Sequence, residues 1–259
     1  MVNIALVMTG NPLHKNRFIE NLVKQNSKSI KVLIEINFKH PKQSRYKHIA
    51  NYLNLLGFKG TLYTSGLLLR TRIMNTLDHV FTFQKSYSLK RIASKNKIKH
   101  HKVSTVNSKS FDDIMSRNNI DYIINSGNQI YSSKVLEKWK GRILNRHTSL
   151  LPEYGGIYPI FWQMLHGSSR GGVTLHWINE EIDSGEKAYQ ESFKFIPGHS
   201  MFHYYKLAFE ISLRLTNQAI QDLEKGIVNK SKMLGSASYY SWPTKQDIRL
   251  FRKKGLKIV

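Results

Sequence analysis

The chain has 259 residues, 41% apolar and 11% aromatic, enough for one large domain with a sizeable core and too apolar for a disordered chain. It has no cysteine, which excludes disulfides and thiolate metal sites and fits a reducing cytoplasm; no apolar run reaches the ~18 residues of a membrane span. Forty Lys and Arg against 17 Asp and Glu leave +23, a balance that favours anionic partners (nucleic acid, anionic lipid, phosphorylated small molecules) or reflects the lysine- and asparagine-rich usage of an AT-rich genome.

The apolar run 3–8 ends at Thr9-Gly10 and predicts a buried first strand; without a basic leader it does not read as a signal peptide. Residues 12–25 carry Leu13, Phe18, Leu22 and Val23 near helical spacing, with Pro12 suited to a first turn. A strand follows at 31–38. Tyr46, Ile49, Tyr52, Leu53 and Leu56 predict a helix over 43–56 that Gly57 stops, and 66–77 predicts another helix. Residues 79–83 read as a short strand or connection. The stretch 85–102, with seven Lys or Arg and no acid, reads as a solvated helix or loop in preference to a nucleic-acid patch.

Ser110, with Asp113 three residues on, predicts a helix start over 110–119. Strands are expected at 121–127 and 141–147, bracketing a short helix at 132–139, with a further helix at 159–167. Residues 172–178 and 191–196 alternate as more exposed strands, and 200–226 forms a long amphipathic helix ended by Gly226. Repeated strand–helix units imply an α/β fold with a doubly wound, mostly parallel sheet, a long C-terminal helix and a short aromatic tail. Two parts are expected: a catalytic core over 1–198, and a helix and tail over 199–259 serving dimerisation or nucleotide binding.

In such sheets ligands sit beyond the carboxyl ends of the strands. Asn145 and His147 stand where the strand 141–144 gives out, followed by Ser149, Pro152 and the Gly155-Gly156 pair; "EEIDSG" places Asp183 downstream. An asparagine offers a neutral donor to an oxyanion, a histidine moves a proton, and an aspartate orients and charges the imidazole. No nucleophilic Ser or Cys is paired with the histidine, so direct acyl transfer fits better than an acyl-enzyme. Taken singly, each residue also reads as a cap, a satisfied histidine or a turn. "TGNP" at 9–12, between a strand and a helix, is either an anion-binding turn or an ordinary connection.

The order N-x-H-x-S-L-L-P, then Gly-Val-Thr, then D-x-G resembles the formyltransferases that use 10-formyl-tetrahydrofolate. "DYIINSGNQIYSSKVLEKWKGRILNRHTSLLPEYGGIYPIFWQMLHG" and "GGVTLHWINEEIDSGE" are similar to two successive family blocks, so the resemblance is strong over 118–195 and extends weakly to the N-terminus. It implies a Rossmann-like core, catalysis by Asn145, His147 and Asp183, and 10-formyl-tetrahydrofolate as formyl donor. It also implies a pterin held largely by backbone at Ile124, Asn125, Ser126 and Gly127, and at Ile178, Glu180 and Ile182. No metal site is expected. Acceptor contacts are expected from Gly10, Asn11, Tyr154, Tyr240 and Trp242. The chain departs from the family where Tyr154-Gly155-Gly156 replaces a "YRG"-like run, which bears on the acceptor.

Within the family the length and tail resemble the branch acting on nucleotide-linked amino sugars for bacterial surface polysaccharide (O-antigen), with GDP-perosamine as first expectation. Methionyl-tRNA and glycinamide ribonucleotide are the alternative acceptors: the charge suits tRNA, but about thirty residues after Gly226 are too few for a C-terminal barrel. A basic, non-catalytic nucleic-acid-binding protein on the same scaffold is the reading of another class. A cytoplasmic location, no membrane insertion and a homodimer through the aromatic tail complete the expectations.

Overall fold

The computed structural model describes residues 2–9, 15–36, 45–81, 83, 85–127 and 129–259. In chain order the elements are β1 (Ile4–Thr9), α1 (Lys15–Gln25), β2 (Ile30–Ile36), α2 (Arg45–Phe81), α3 (Leu89–Lys95), β3 (Lys99–Val103), α4 (Lys109–Arg117), β4 (Tyr122–Ser126), α5 (Ser133–Lys138), β5 (Ile143–His147), β6 (Gly155–Gly156), α6 (Pro159–Leu165), β7 (Arg170–Trp177), β8 (Lys187–Lys194), α7 (Met201–Glu224), β9 (Tyr239–Tyr240) and α8 (Lys245–Lys253). Seven strands form one sheet in the order β3-β2-β1-β4-β5-β7-β8. The first five run parallel, while β7 pairs antiparallel with both β5 and β8.

β1 is buried at every position, as a central parallel strand covered on both faces must be. Phe18, Ile19 and Leu22 of α1 pack on one face with Leu89 and Ile92 of α3 and Ile220 of α7. Phe111 and Met115 of α4 cover the other face with Trp139. α6, α8 and the first half of α7 enclose a further cluster in which Phe161 stacks on Phe251 at 4.6 Å. Among the described residues no helix is long and apolar enough to cross a membrane.

Several expectations change. Gly57 does break the helical path (φ 66°, ψ −177°), a conformation that a side chain disfavours, but the helix resumes at once and runs to Phe81, so residues 79–81, expected as a short strand or connection, are helical. Within 85–102, α3 turns Leu89, Ile92 and Ala93 inward, and "KHHKV" forms β3. β3 is an edge strand, where charged side chains reach water, and this hid it from an apolar-pattern reading. The helix at 109–117 is capped by Ser108, whose hydroxyl accepts the Phe111 N–H at 3.2 Å; Ser110 lies inside it. β7 is buried along almost its whole length, because α7 covers it, whereas β8 is the exposed edge.

Candidate active site

The three expected catalytic residues converge where β5 ends. Side chains alternate along a strand, so Asn145 and His147 share one face of β5 while Arg146 takes the other. Asp183 arrives from the loop joining β7 to β8, in a left-handed conformation (φ 56°) open to Asp at modest cost. Its Oδ1 lies 3.5 Å from His147 Nδ1 and 3.6 Å from Nε2 of a second histidine, His176. Asp183 Oδ2 accepts the Gly156 N–H at 2.8 Å, so the carboxylate is held by backbone.

Each member is further oriented. His147 Nε2 lies 2.9 Å from the Tyr154 carbonyl; a carbonyl only accepts, so Nε2 carries a proton and Nδ1 faces the carboxylate. The Asn145 Oδ1 accepts from Asn125 Nδ2 at 2.8 Å, and Asn145 Nδ2 donates to His176 Nε2 at 3.1 Å. That pairing fixes the carboxamide and leaves one of its two N–H bonds for a ligand. Asn125 is in turn held by the Tyr131 hydroxyl, which donates to Asn125 Oδ1 at 3.1 Å. Burial holds His176 down to about 4 despite the nearby carboxylate, so at neutral pH it is an uncharged acceptor.

His176, Tyr131 and the Tyr154 carbonyl were not anticipated. His176 sits one residue from a tryptophan in an apolar run, and only the antiparallel register that sets it opposite Asn145 gives it a role. Arg146 is the other surprise. Its guanidinium lies 4.5 Å from the Phe209 ring centre, and burial lowers it to about 10, which leaves it charged.

The expected folate contacts divide. Ile124 lies within the ladder between β1 and β5 with its side chain in the core. Asn125 serves the polar chain just described, and the Ser126 hydroxyl accepts from Arg146 Nε at 3.4 Å. Gly127 ends the strand, where a Cβ would approach the Thr9 hydroxyl at 3.2 Å. Ile178 donates its N–H to Ile143, while Glu180 is exposed and Ile182 is 55% exposed.

Of the expected acceptor contacts, Gly10 and Asn11 lie outside the described residues. Tyr154 stacks on Tyr240 at 5.4 Å, Tyr240 stacks on Trp162 at 5.0 Å, and Trp242 meets Tyr158 edge-on at 4.9 Å. The tail's rings thus turn onto the body of the molecule.

The sequence model described as Formyl transferase matches residues 73–213, more than half of the chain. The methionyl-tRNA formyltransferase of Finegoldia magna is 26% identical over 121 residues, 46% of this chain and 39% of that protein; the chain thus spans well under half the length of this curated relative. The phosphoribosylglycinamide formyltransferase of Anaplasma phagocytophilum superposes with TM-score 0.62 at 15% identity, covering 93% of this chain and 99% of that one. The Helicobacter canadensis N-formyltransferase, solved with folinic acid and dTDP-3-aminofucose, superposes with TM-score 0.61 at 18% identity, covering 100% of this chain and 84% of that one. At such identities the two superpositions establish the shared fold. With the motif block lying inside the matched region, the chain belongs to the formyl transferase family.

Proposed function

We propose that this protein is a folate-dependent N-formyltransferase, with Asn145, His147 and Asp183 as its catalytic residues and a nucleotide-linked amino sugar as acceptor. The observation that carries the reading is the meeting of a carboxamide, an imidazole and a backbone-held carboxylate at the carboxyl end of β5. Bound 10-formyl-tetrahydrofolate supplies the formyl carbon and a nitrogen that takes up a proton as it leaves. An exposed Ile182 borders Asp183 and offers an apolar face to a flat heteroaromatic ring.

Asn145 aims its free N–H at the oxygen that gains charge as the amine attacks. Held by two partners, the amide needs no reorganisation, and such a donor typically contributes ~2.7–4 kcal/mol to the barrier. His147 Nδ1, the nitrogen not committed to Tyr154, faces Asp183 at 3.5 Å, so the imidazole–carboxylate pair handles the proton. It accepts the proton shed by the amine and returns one to the leaving nitrogen, directly or through water. Asp183 stabilises the imidazolium in between, and a neutral His176 shares that carboxylate without competing for the charge.

The amino-sugar acceptor draws support from the tail. A structure solved with a dTDP-linked amino sugar aligns with the whole of this chain, and Tyr240 borders the Gly155–Gly156 stretch beside Asp183. GDP-perosamine, a 4-amino-4,6-dideoxy sugar, is the first acceptor to test and dTDP-3-aminofucose the second. Methionyl-tRNA remains the competing acceptor, favoured by the +23 charge. Incubation with 10-formyl-tetrahydrofolate and a panel of amino-sugar nucleotides should give formylated sugar, detected by mass spectrometry. Turnover should fall at least 100-fold in His147→Ala and Asn145→Ala. Formylation of methionyl-tRNA with every sugar inert would move the acceptor to tRNA, and nucleic-acid binding with no formyl transfer would favour a binding protein.

A further inference from the structure

Arg146 stands between Asn145 and His147 on β5 but turns to the opposite face of the strand, against α1 and α7. Its guanidinium lies over the rings of Phe18 at 5.9 Å and Phe209 at 4.5 Å. Rings laid against the flat face of a guanidinium leave its N–H edge for other partners. Little uses that edge: Nε donates to the Ser126 hydroxyl at 3.4 Å, and Nη1 is buried with no hydrogen-bond partner. Nor does a carboxylate neutralise the charge. Among the described residues the ionisable group that acts on it is Tyr205, whose hydroxyl burial keeps protonated, and the remaining residues include no Asp or Glu. Enclosing a cation without a counter-anion is costly, and an apolar side chain would fill the same space more cheaply. The surroundings raise that cost further, because Phe18 lies in the first turn of α1 and brings the positive end of that helix to the same side.

We infer that Arg146 is the anion-binding residue of the acceptor site, its guanidinium holding the acceptor's diphosphate across β5 from the catalytic pair. This rests on the acceptor being a nucleotide-linked amino sugar, and it names the residue that recognises the acceptor's charge. The position suits a ligand: Ser126 and Arg146 stand at the carboxyl ends of the parallel strands β4 and β5, where such sheets bind their ligands, and Arg146 is half-buried, so it is not sealed from solvent. The fork of N–H groups on a guanidinium matches two oxygens of a phosphate. An amino-sugar nucleotide carries its amine and its diphosphate at separate positions of the sugar ring. Lying over the end of β5, it presents the amine to Asn145 and His147 and the diphosphate to Arg146. The glutamate carboxylates of the folate are the rival anion, but the loop carrying Ile182 and Asp183 meets the other face of β5.

Isothermal titration of the full chain with inorganic pyrophosphate, GDP, dTDP and UDP tests this apart from turnover. At least one of these should bind the wild type, and its Kd should rise about 20-fold or more in Arg146→Met. Arg146→Gln, a donor without charge, should show the same loss and decides the matter if Arg146→Met fails to fold. Affinity for folinic acid should stay within about threefold of the wild type in both variants, because the folate lies on the other face of β5. The melting temperature of Arg146→Met should not fall below that of the wild type, since the substitution removes an uncompensated charge. A lower melting temperature with unchanged diphosphate affinity would assign Arg146 to packing on Phe209 and overturn the proposal. Diphosphates that bind wild type and variants equally, or bind none of them, overturn it too. So does a loss confined to folinic acid, which would give the guanidinium to the glutamate carboxylates. The acceptor assignment fails by a different result: if pyrophosphate binding depends on Arg146 while every amino-sugar nucleotide stays unformylated, the anion site stands and the sugar does not.

Discussion

His176 shows how a residue without charge can organise charged neighbours. It accepts from Asn145 through Nε2, its Nδ1 is buried without a partner, and Asp183 lies 3.6 Å away. Burial, outweighing that carboxylate, holds it to about 4, against about 6.5 in an unfolded chain. Between those values the unfolded chain binds a proton that the folded one excludes. Stability therefore rises with pH through the window and is lost as pH falls from about 6.5 toward 4, by roughly 3 kcal/mol when complete. His176→Gln keeps an acceptor for Asn145 but does not titrate. Its unfolding free energy should be flatter over pH 4–6.5 than that of the wild type, by denaturant titration; parallel curves would mean that His176 is not the group responsible.

Among the elements, α8 illustrates how a short helix can be both self-specified and dependent on its neighbours. Thr244 and Asp247 form a reciprocal cap at its start, with the Thr244 hydroxyl accepting the Asp247 N–H and the Asp247 carboxylate accepting the Thr244 N–H. Its buried side chains are Ile248 and Phe251, and Phe251 is fully enclosed against Phe161 of α6. Burial outweighs capping here: Phe251→Ala should cost ~3–5 kcal/mol of stability, and Thr244→Ala ~1 kcal/mol. Equal losses in the two variants, measured by denaturant midpoints at constant m, would show that the tail is weakly docked. The same contrast explains β3: an edge strand violates the apolar pattern by which a lone segment announces itself.

At the scale of the whole molecule, the tail reaches the candidate site. Gly155 and Ile157 donate their N–H groups to Ser238 and Tyr240, forming the two-residue pairing of β6 with β9. That same segment holds His147 through the Tyr154 carbonyl and Asp183 through the Gly156 N–H. Gly156 has φ 92°, and a Cβ there would stand 2.1 Å from the Tyr240 carbonyl, so no side chain fits without parting the two strands. Gly156→Ala should therefore lower formyl transfer at least tenfold while the protein still folds. Gly198→Ala, at φ 90° in open space, should lower only the melting temperature. Equal activity in the two variants would separate the tail from catalysis.

The sequence by itself determined the α/β class, the strands β1, β2, β4 and β5, and the stretch carrying Asn145 and His147. These follow from local signals: apolar strands buried on both faces, helices with one apolar stripe, and a polar pair just past a strand. Asp183 was named by the family resemblance; the other partners, and the contacts that all of them make, were decided by the tertiary structure. His176 faces Asn145 only through the antiparallel register of β5 and β7, Asp183 reaches His147 from another loop, and Gly156 links both to the tail. Each joins residues distant along the chain, and no local periodicity encodes which long-range surfaces meet.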